Sequence, residues 1–479
     1  MINIENTTRK LRRINIRELI NISLKFSVRN IDFESAHIVS SEDQIYPWEI
    51  DALLLMKIYQ GTSDGNTNQL TELKFFEFIS TIRNFDYIAY AKHQNRTAMD
   101  LIPIIAANQF TIQIPITNLL FRSLFFYNNQ QSTFLNNRVN EMFGIDANTI
   151  HQVMVGLYSI IVGYKNELPK VISTFNKFLE NEKIRSVIHI FVIEIESLRE
   201  TLLKKHNNAI DFIHINYYLK QYCFISEEKE IFITYPHNFI NVISYGLIYR
   251  LTEGNDDYRQ KFGKEILENY LIYLCNLNKN FHKVLKSFKY NRNMNETSDV
   301  IALIGVDCLF VESKSSVISR EFRDPSNLEY KAHYIRLYSN SLMQLYKCIN
   351  KHNEGEFNID GKTFIKENCY GVVVNFEDSN ISRDSIYSSF FEKCQLELKI
   401  EVNNDFRNWV FNHLRVIDLT QFENVLIYNI DNPVNKLFSS KHTDLFLSFS
   451  DNELKYKKVV TKTVTKVLDD YIEIIKDFM

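Results

Sequence analysis

The chain has 479 residues, 45% hydrophobic and 24% charged, enough apolar mass for two or three packed domains, which excludes a largely disordered polypeptide. Its formal net charge of -3 excludes a basic field over the whole protein, so any nucleic-acid contact must rest on local clusters of Lys and Arg. The six cysteines, at 223, 275, 308, 348, 369 and 394, form no C-x-x-C pair and have no neighbouring His at zinc-ligand spacing, which argues against a disulfide framework or a zinc module and fits a reducing cytoplasm.

The N-terminal MINIENTTRKLRRINIRELI has basic residues but neither an apolar core nor a small-residue cleavage site, so a soluble cytoplasmic protein is expected. Lys10, Arg12 and Arg13 are candidate phosphate contacts, although charged faces are ordinarily solvated. Apolar positions then recur every three or four residues in PWEIDALLLMKIY, QLTELKFFEFISTI, NLLFRSLFFY and NTIHQVMVGLYSIIVGY, which predicts helices. The most apolar run, from Met154, is too short to span a bilayer, and no membrane partner is expected. His189 and His214 stand in apolar stretches and read as core residues. Polar breaks fall at 61–68, at 127–137 and at TEGNDD, 252–257, the last of which is taken as the domain boundary. Residues 1–255 are thus a mainly α-helical sensing or binding region, and 256–479 a second domain.

In the second region, DYRQKFGKEILENYLIYLCNL repeats apolar residues at helical spacing, and FHKVLKSFKY alternates like a strand. SDVIALIGVDCLFVESKSS holds two β-branched and apolar runs about a turn. KAHYIRLYSNSLMQLYKCINKH reads as a helix, CYGVVVNFED as a strand, and HLRVIDLTQFENVLIY as a short strand leading into a helix. Helix, strands, helix, strand in that order predict an α+β or α/β domain with helices packed on a mixed sheet. Cys275 and Cys308 read as packed thiols. A second basic run, from Lys455, adds further candidate phosphate contacts.

The chemistry concentrates in the hairpin. Gly305-Val306 suits a type II′ turn, because its first central position needs a positive φ. Ile304 then pairs with Asp307, and counting outward brings Asp299 opposite Glu312, with Cβ atoms about 5 Å apart on one face. Such carboxylates repel unless a cation lies between them, and Mg²⁺ is commonly held by one or two carboxylates with water and phosphate oxygens. Lys314, two residues beyond Glu312, shares that face and can reach a water or phosphate at the ion.

Asp299 in TSDVIAL and Glu312-Ser313-Lys314 in CLFVESKSS resemble the signature of the PD-(D/E)XK nuclease superfamily, the restriction-endonuclease-like fold, over roughly residues 255–430. Ser298 stands where that signature has its proline. The resemblance implies a restriction-endonuclease-like mixed-sheet domain in which Asp299 and Glu312 bind Mg²⁺, or Mn²⁺ in its place, and Lys314 serves the attacking water. It further implies an acid on the preceding helix, Glu268 with Glu265 as second choice, and a Gln on a later helix, Gln344. Ser315 and Lys331 are further candidates for phosphate contact, although polar residues after a strand are usually loop.

The expected function is hydrolysis of phosphodiester bonds, in DNA rather than RNA, in restriction or anti-phage defence by analogy. Residues 1–255 would bind nucleic acid, a partner protein or a second copy, since cutting both strands needs two sites. Two alternatives stand beside it: a non-catalytic scaffold that keeps the sheet for packing, and a nuclease acting on RNA. In the scaffold reading, Asp299, Glu312 and Lys314 face water at a hairpin end and form a surface ion pair worth about 0–1 kcal/mol.

Overall fold

The computed structural model describes residues 2–29, 45–61, 69–85, 116–128, 133–213, 215, 217–234, 236–291, 295–316, 329–377, 381–427 and 432–439. His214 and the basic run from Lys455 lie outside them. The described residues divide into two units, one ending at Thr252 and the other beginning at Glu253.

The first unit is mainly helical. Helices α1 (Ile2–Leu11), α2 (Ile16–Arg29), α3 (Pro47–Gln60) and α4 (Glu72–Arg83) share a core with residues from 195 to 225. Buried Glu49, in the first turn of α3, receives a two-pronged contact from Arg83 at 2.8 and 2.9 Å and also caps the Tyr46 N–H at 2.9 Å. A charge is tolerated there because its lone pairs are satisfied. Helix α5 (Ala147–Gly163) starts at Asp146, whose carboxylate accepts from the Thr149 N–H at 2.8 Å. Among the described residues no helix is long and apolar enough to cross a membrane.

The first unit also holds a small sheet that helical periodicity hides. Strands β1 (Val192–Glu194), β2 (Phe224–Glu227) and β3 (Glu230–Ile233) lie in that order, β1 parallel to β2 and β2 antiparallel to β3. They have three or four residues each, too short for a period-2 pattern to show in sequence. His189, expected in the core, is exposed on the outer side of its helix.

The second unit is built on a five-stranded mixed sheet. Its strands are β4 (Lys283–Lys286), β7 (Val300–Ile304), β8 (Asp307–Lys314), β9 (Cys369–Asn375) and β10 (Leu414–Asp418). Across the sheet the order is β10-β9-β8-β7-β4, antiparallel from β4 to β8 and parallel from β8 to β10. A two-stranded ribbon of β5 (Lys289–Tyr290) and β6 (Asn295–Glu296) stands apart from it. Helix α6 (Glu268–Leu277) packs on β4 and β7, and α7 (Glu329–Asn353) packs on β8, β9 and β10. Helix α8 (Arg383–Leu398) lies against α7. Helix α9 (Asn404–His413) leads into β10, and α10 (Leu419–Ile427) packs on α6, β9 and β10. Every residue of β7 and β10 is buried, as expected of strands with helices on both faces. The helix, the strands about the hairpin, α7, β9, β10 and α10 come in the order read from the sequence, but α8 and α9 between β9 and β10, and the β5–β6 ribbon, were not read.

The hairpin forms with the expected register. Ile304 pairs with Asp307 and Val300 with Val311, and Gly305 takes φ 58°, a left-handed conformation that costs glycine little. β8, the central strand, carries its acid and its amine at its C-terminal end, where its burial falls away.

Candidate active site

Three elements meet at the end of β8. Asp299 directly precedes β7 and stays in the sheet through its carbonyl, which accepts from the Ser287 N–H at 2.9 Å. Its Oδ2 accepts from both the backbone N–H and the hydroxyl of Ser313, each at 2.7 Å. The carboxylate is therefore tied across the hairpin to the residue between Glu312 and Lys314. Sequence reading missed Ser313, whose place between the two charged residues gave no sign of its role.

Glu312 leaves only 13% of its side chain exposed, and its Oε1 accepts from Lys314 Nζ at 2.8 Å. Lys314 Nζ also donates to Gln344 Oε1 on α7 at 3.4 Å. Burial, and then the charge of Asp299, push the Glu312 carboxyl up to about 7 although Lys314 pulls it down. A carboxyl raised chiefly by burial and then by a neighbouring acid is a candidate functional group.

Glu268 joins the same field from the other side. It is 8% exposed, and burial followed by Asp299 raises it to about 7, with Glu312 adding to the rise and Lys286 and Lys264 opposing it. Glu265, the second choice, is exposed and lies 3.9 Å from Lys261, so the acid that faces the hairpin is Glu268. A π-helical segment, Phe262–Leu267, immediately precedes α6 and contacts β8. Such a segment inserts an extra residue per turn and is frequent at functional sites. Here it brings Gly263 so close to β8 that an added Cβ would lie 3.0 Å from Ser315 Oγ. Ser315 donates to the Arg259 carbonyl at 3.3 Å, so its hydroxyl serves this helix-to-strand contact. Lys331 lies half-buried in the first turn of α7.

Asn375 is a further polar group that sequence reading passed over. It ends β9 in register with Lys314, is 2% exposed, and its Oδ1 has no hydrogen-bond partner. Its only sequence signal is an amide closing the apolar run VVVN.

The five expected residues thus lie around one strand end: Glu312 and Lys314 paired, Gln344 against Lys314, and Asp299 and Glu268 within electrostatic reach of Glu312. Among the described residues no three His, Cys, Asp or Glu side chains stand around one point as a ready ligand set. The donor chemistry nevertheless suits a small hard dication, which commonly takes one or two carboxylates and completes its shell with water. Asp299 and Glu312 would hold it, and its charge would favour the ionised forms of Glu312 and Glu268, which burial and then Asp299 raise to about 7.

No family model matches the chain, and no curated protein or solved structure matches it.

Proposed function

We propose that the second unit is a Mg²⁺-dependent nuclease whose active site is the C-terminal end of β8. The observation that carries this reading is the grouping of two half-buried or buried acids raised to about 7, Glu312 and Glu268, with Asp299 and the cation of Lys314. Phosphodiester hydrolysis places water opposite the leaving oxygen and builds negative charge on the phosphoryl oxygens. The Lys314 ammonium, fixed between Glu312 and Gln344, is placed to orient that water and to neutralise the growing charge. Glu268, raised to about 7 and not one of the two residues that would hold the ion, is suited to accept the water's proton. The bound ion would polarise the phosphate and make the water more acidic. DNA is the favoured substrate and RNA the competing one, and a role in restriction or anti-phage defence follows by analogy alone.

A non-catalytic scaffold is the second reading, favoured by the closed hydrogen bonding of Asp299 to Ser313. Adding Mg²⁺ at pH 8 separates the two. A nuclease site gains thermal stability from the ion in the wild type and loses that gain in Glu312→Ala, whereas a scaffold responds equally in both.

A further inference from the structure

Helix α7 leads away from the site along a polar stripe. Arg336, Asn340 and Gln344 recur every four residues, so they share one face, and all three are exposed. Gln344 is the end of the stripe that touches Lys314. One turn back, Asn340 Oδ1 accepts from Lys393 Nζ of the neighbouring α8. Arg336 lies a turn further on; burial is the main cause that lowers Lys393, Glu397 opposes it, and the charge of Arg336 adds a smaller push in the same direction as burial. Glu397 itself pairs with Lys347 at 3.6 Å. Among the described residues neither Arg336 nor Lys393 forms an ion pair.

Neighbouring cations disfavour each other, Glu397 offsets this only in part because it is paired with Lys347, and a bound anion would reverse the cost. We propose that α7 and α8 form a phosphate track, in which Arg336 and Lys393 bind backbone phosphates of the nucleic-acid strand cut beside Lys314. The placement of the cut rests on the nuclease reading. Eight residues of helix separate Arg336 from Gln344, about 12 Å at 1.5 Å per residue. The roughly 3.4 Å advance per nucleotide is measured along the duplex axis, and phosphates winding around it lie about twice as far apart, so about 12 Å spans about two phosphate steps of one strand. The substrate class is therefore a polynucleotide that extends at least about two phosphates to one side of the cleaved bond, and a dinucleotide is a poor substrate.

The test measures binding without cutting. The full-length protein in EDTA is titrated with a labelled 30-nucleotide DNA duplex, the single DNA strand and the matching RNA, over a range of salt concentrations. For the preferred polymer, Arg336→Ala with Lys393→Ala should lower the slope of log affinity against log salt by about two on a duplex, roughly 0.9 per lost phosphate contact. Affinity near 0.1 M salt should fall roughly tenfold or more. Lys347→Ala, whose amine is already paired with Glu397, serves as the control and should change little. An unchanged slope in the double variant, or no binding of any of the three polymers by the wild type, overturns the track. If the slope falls but no polymer is cut when Mg²⁺ is added, the track stands and the nuclease reading fails. If the wild type cuts while the double variant keeps its slope, the track fails alone.

Discussion

Glu312 combines burial with a neighbouring acid, and its titration has a sign that can be checked. Its carboxyl is raised from 4.5 to about 7 in the folded protein, so between these pH values the folded chain keeps a proton that the unfolded chain has released. The stability this contributes is full below the unfolded value and is lost as pH rises through 7. The loss is on the order of 3 kcal/mol at most, because Glu268 shares the same field and Lys314 screens part of it. In chemical denaturation with EDTA, Glu312→Gln should match the wild type at pH 5 and exceed it by roughly 1–3 kcal/mol at pH 8.5. An equal difference at both pH values would mean that Glu312 is not perturbed by its surroundings. For Lys314→Ala, cleavage under single-turnover conditions should fall roughly 10²–10⁴-fold with the fold intact, as for loss of a group that acts on the transition state.

At the scale of elements, the hairpin was legible because turn chemistry and alternation agreed. Gly305 fixed the turn, and the turn fixed the register as far as Val300 opposite Val311. Gly305→Ala meets no atom within 4 Å, so its cost is backbone strain alone, roughly 1 kcal/mol in equilibrium unfolding, with cleavage preserved. Gly263→Ala is different, since its Cβ would lie 3.0 Å from Ser315 Oγ, so that hydroxyl must shift from its bond to the Arg259 carbonyl at the contact between the π-helical segment and β8. It should cost roughly 1–3 kcal/mol and also reduce cleavage, because Glu268 follows that segment directly. Loss of stability with undiminished cleavage would separate Glu268 from the chemistry. The contact was not legible, because a π-turn shifts the face of a helix by a residue without a mark in the apolar pattern. Ser313 and Asn375 were hidden for a similar reason: a small polar residue at a strand end reads as loop until its partners are known.

At the scale of the whole molecule, the succession of sheet strands in the second unit could be read from sequence because their apolar runs are bounded by polar turns or helices, while α8 and α9 between β9 and β10 went unread. The sheet of the first unit could not, since its strands have only three or four residues each and β1 pairs with β2 across some thirty residues (Val192 with Phe224). Gly254, at φ 69° beside the change of unit, marks the turn that the polar run TEGNDD had suggested. The central claim joins these scales, namely that the second unit places Glu312 and Lys314 for metal-dependent cutting of a phosphodiester chain. The most direct measurement incubates the full-length wild type, Glu312→Ala and Lys314→Ala with linear DNA, circular DNA and RNA, in Mg²⁺, in Mn²⁺ and in EDTA. The account predicts cutting by the wild type with either metal, none in EDTA, and a fall of roughly 100-fold or more in either variant while both stay folded, with the wild-type melting temperature matched in EDTA for Lys314→Ala. Cutting that survives in EDTA or is undiminished in both variants, or no cutting of any substrate by the wild type, would contradict it.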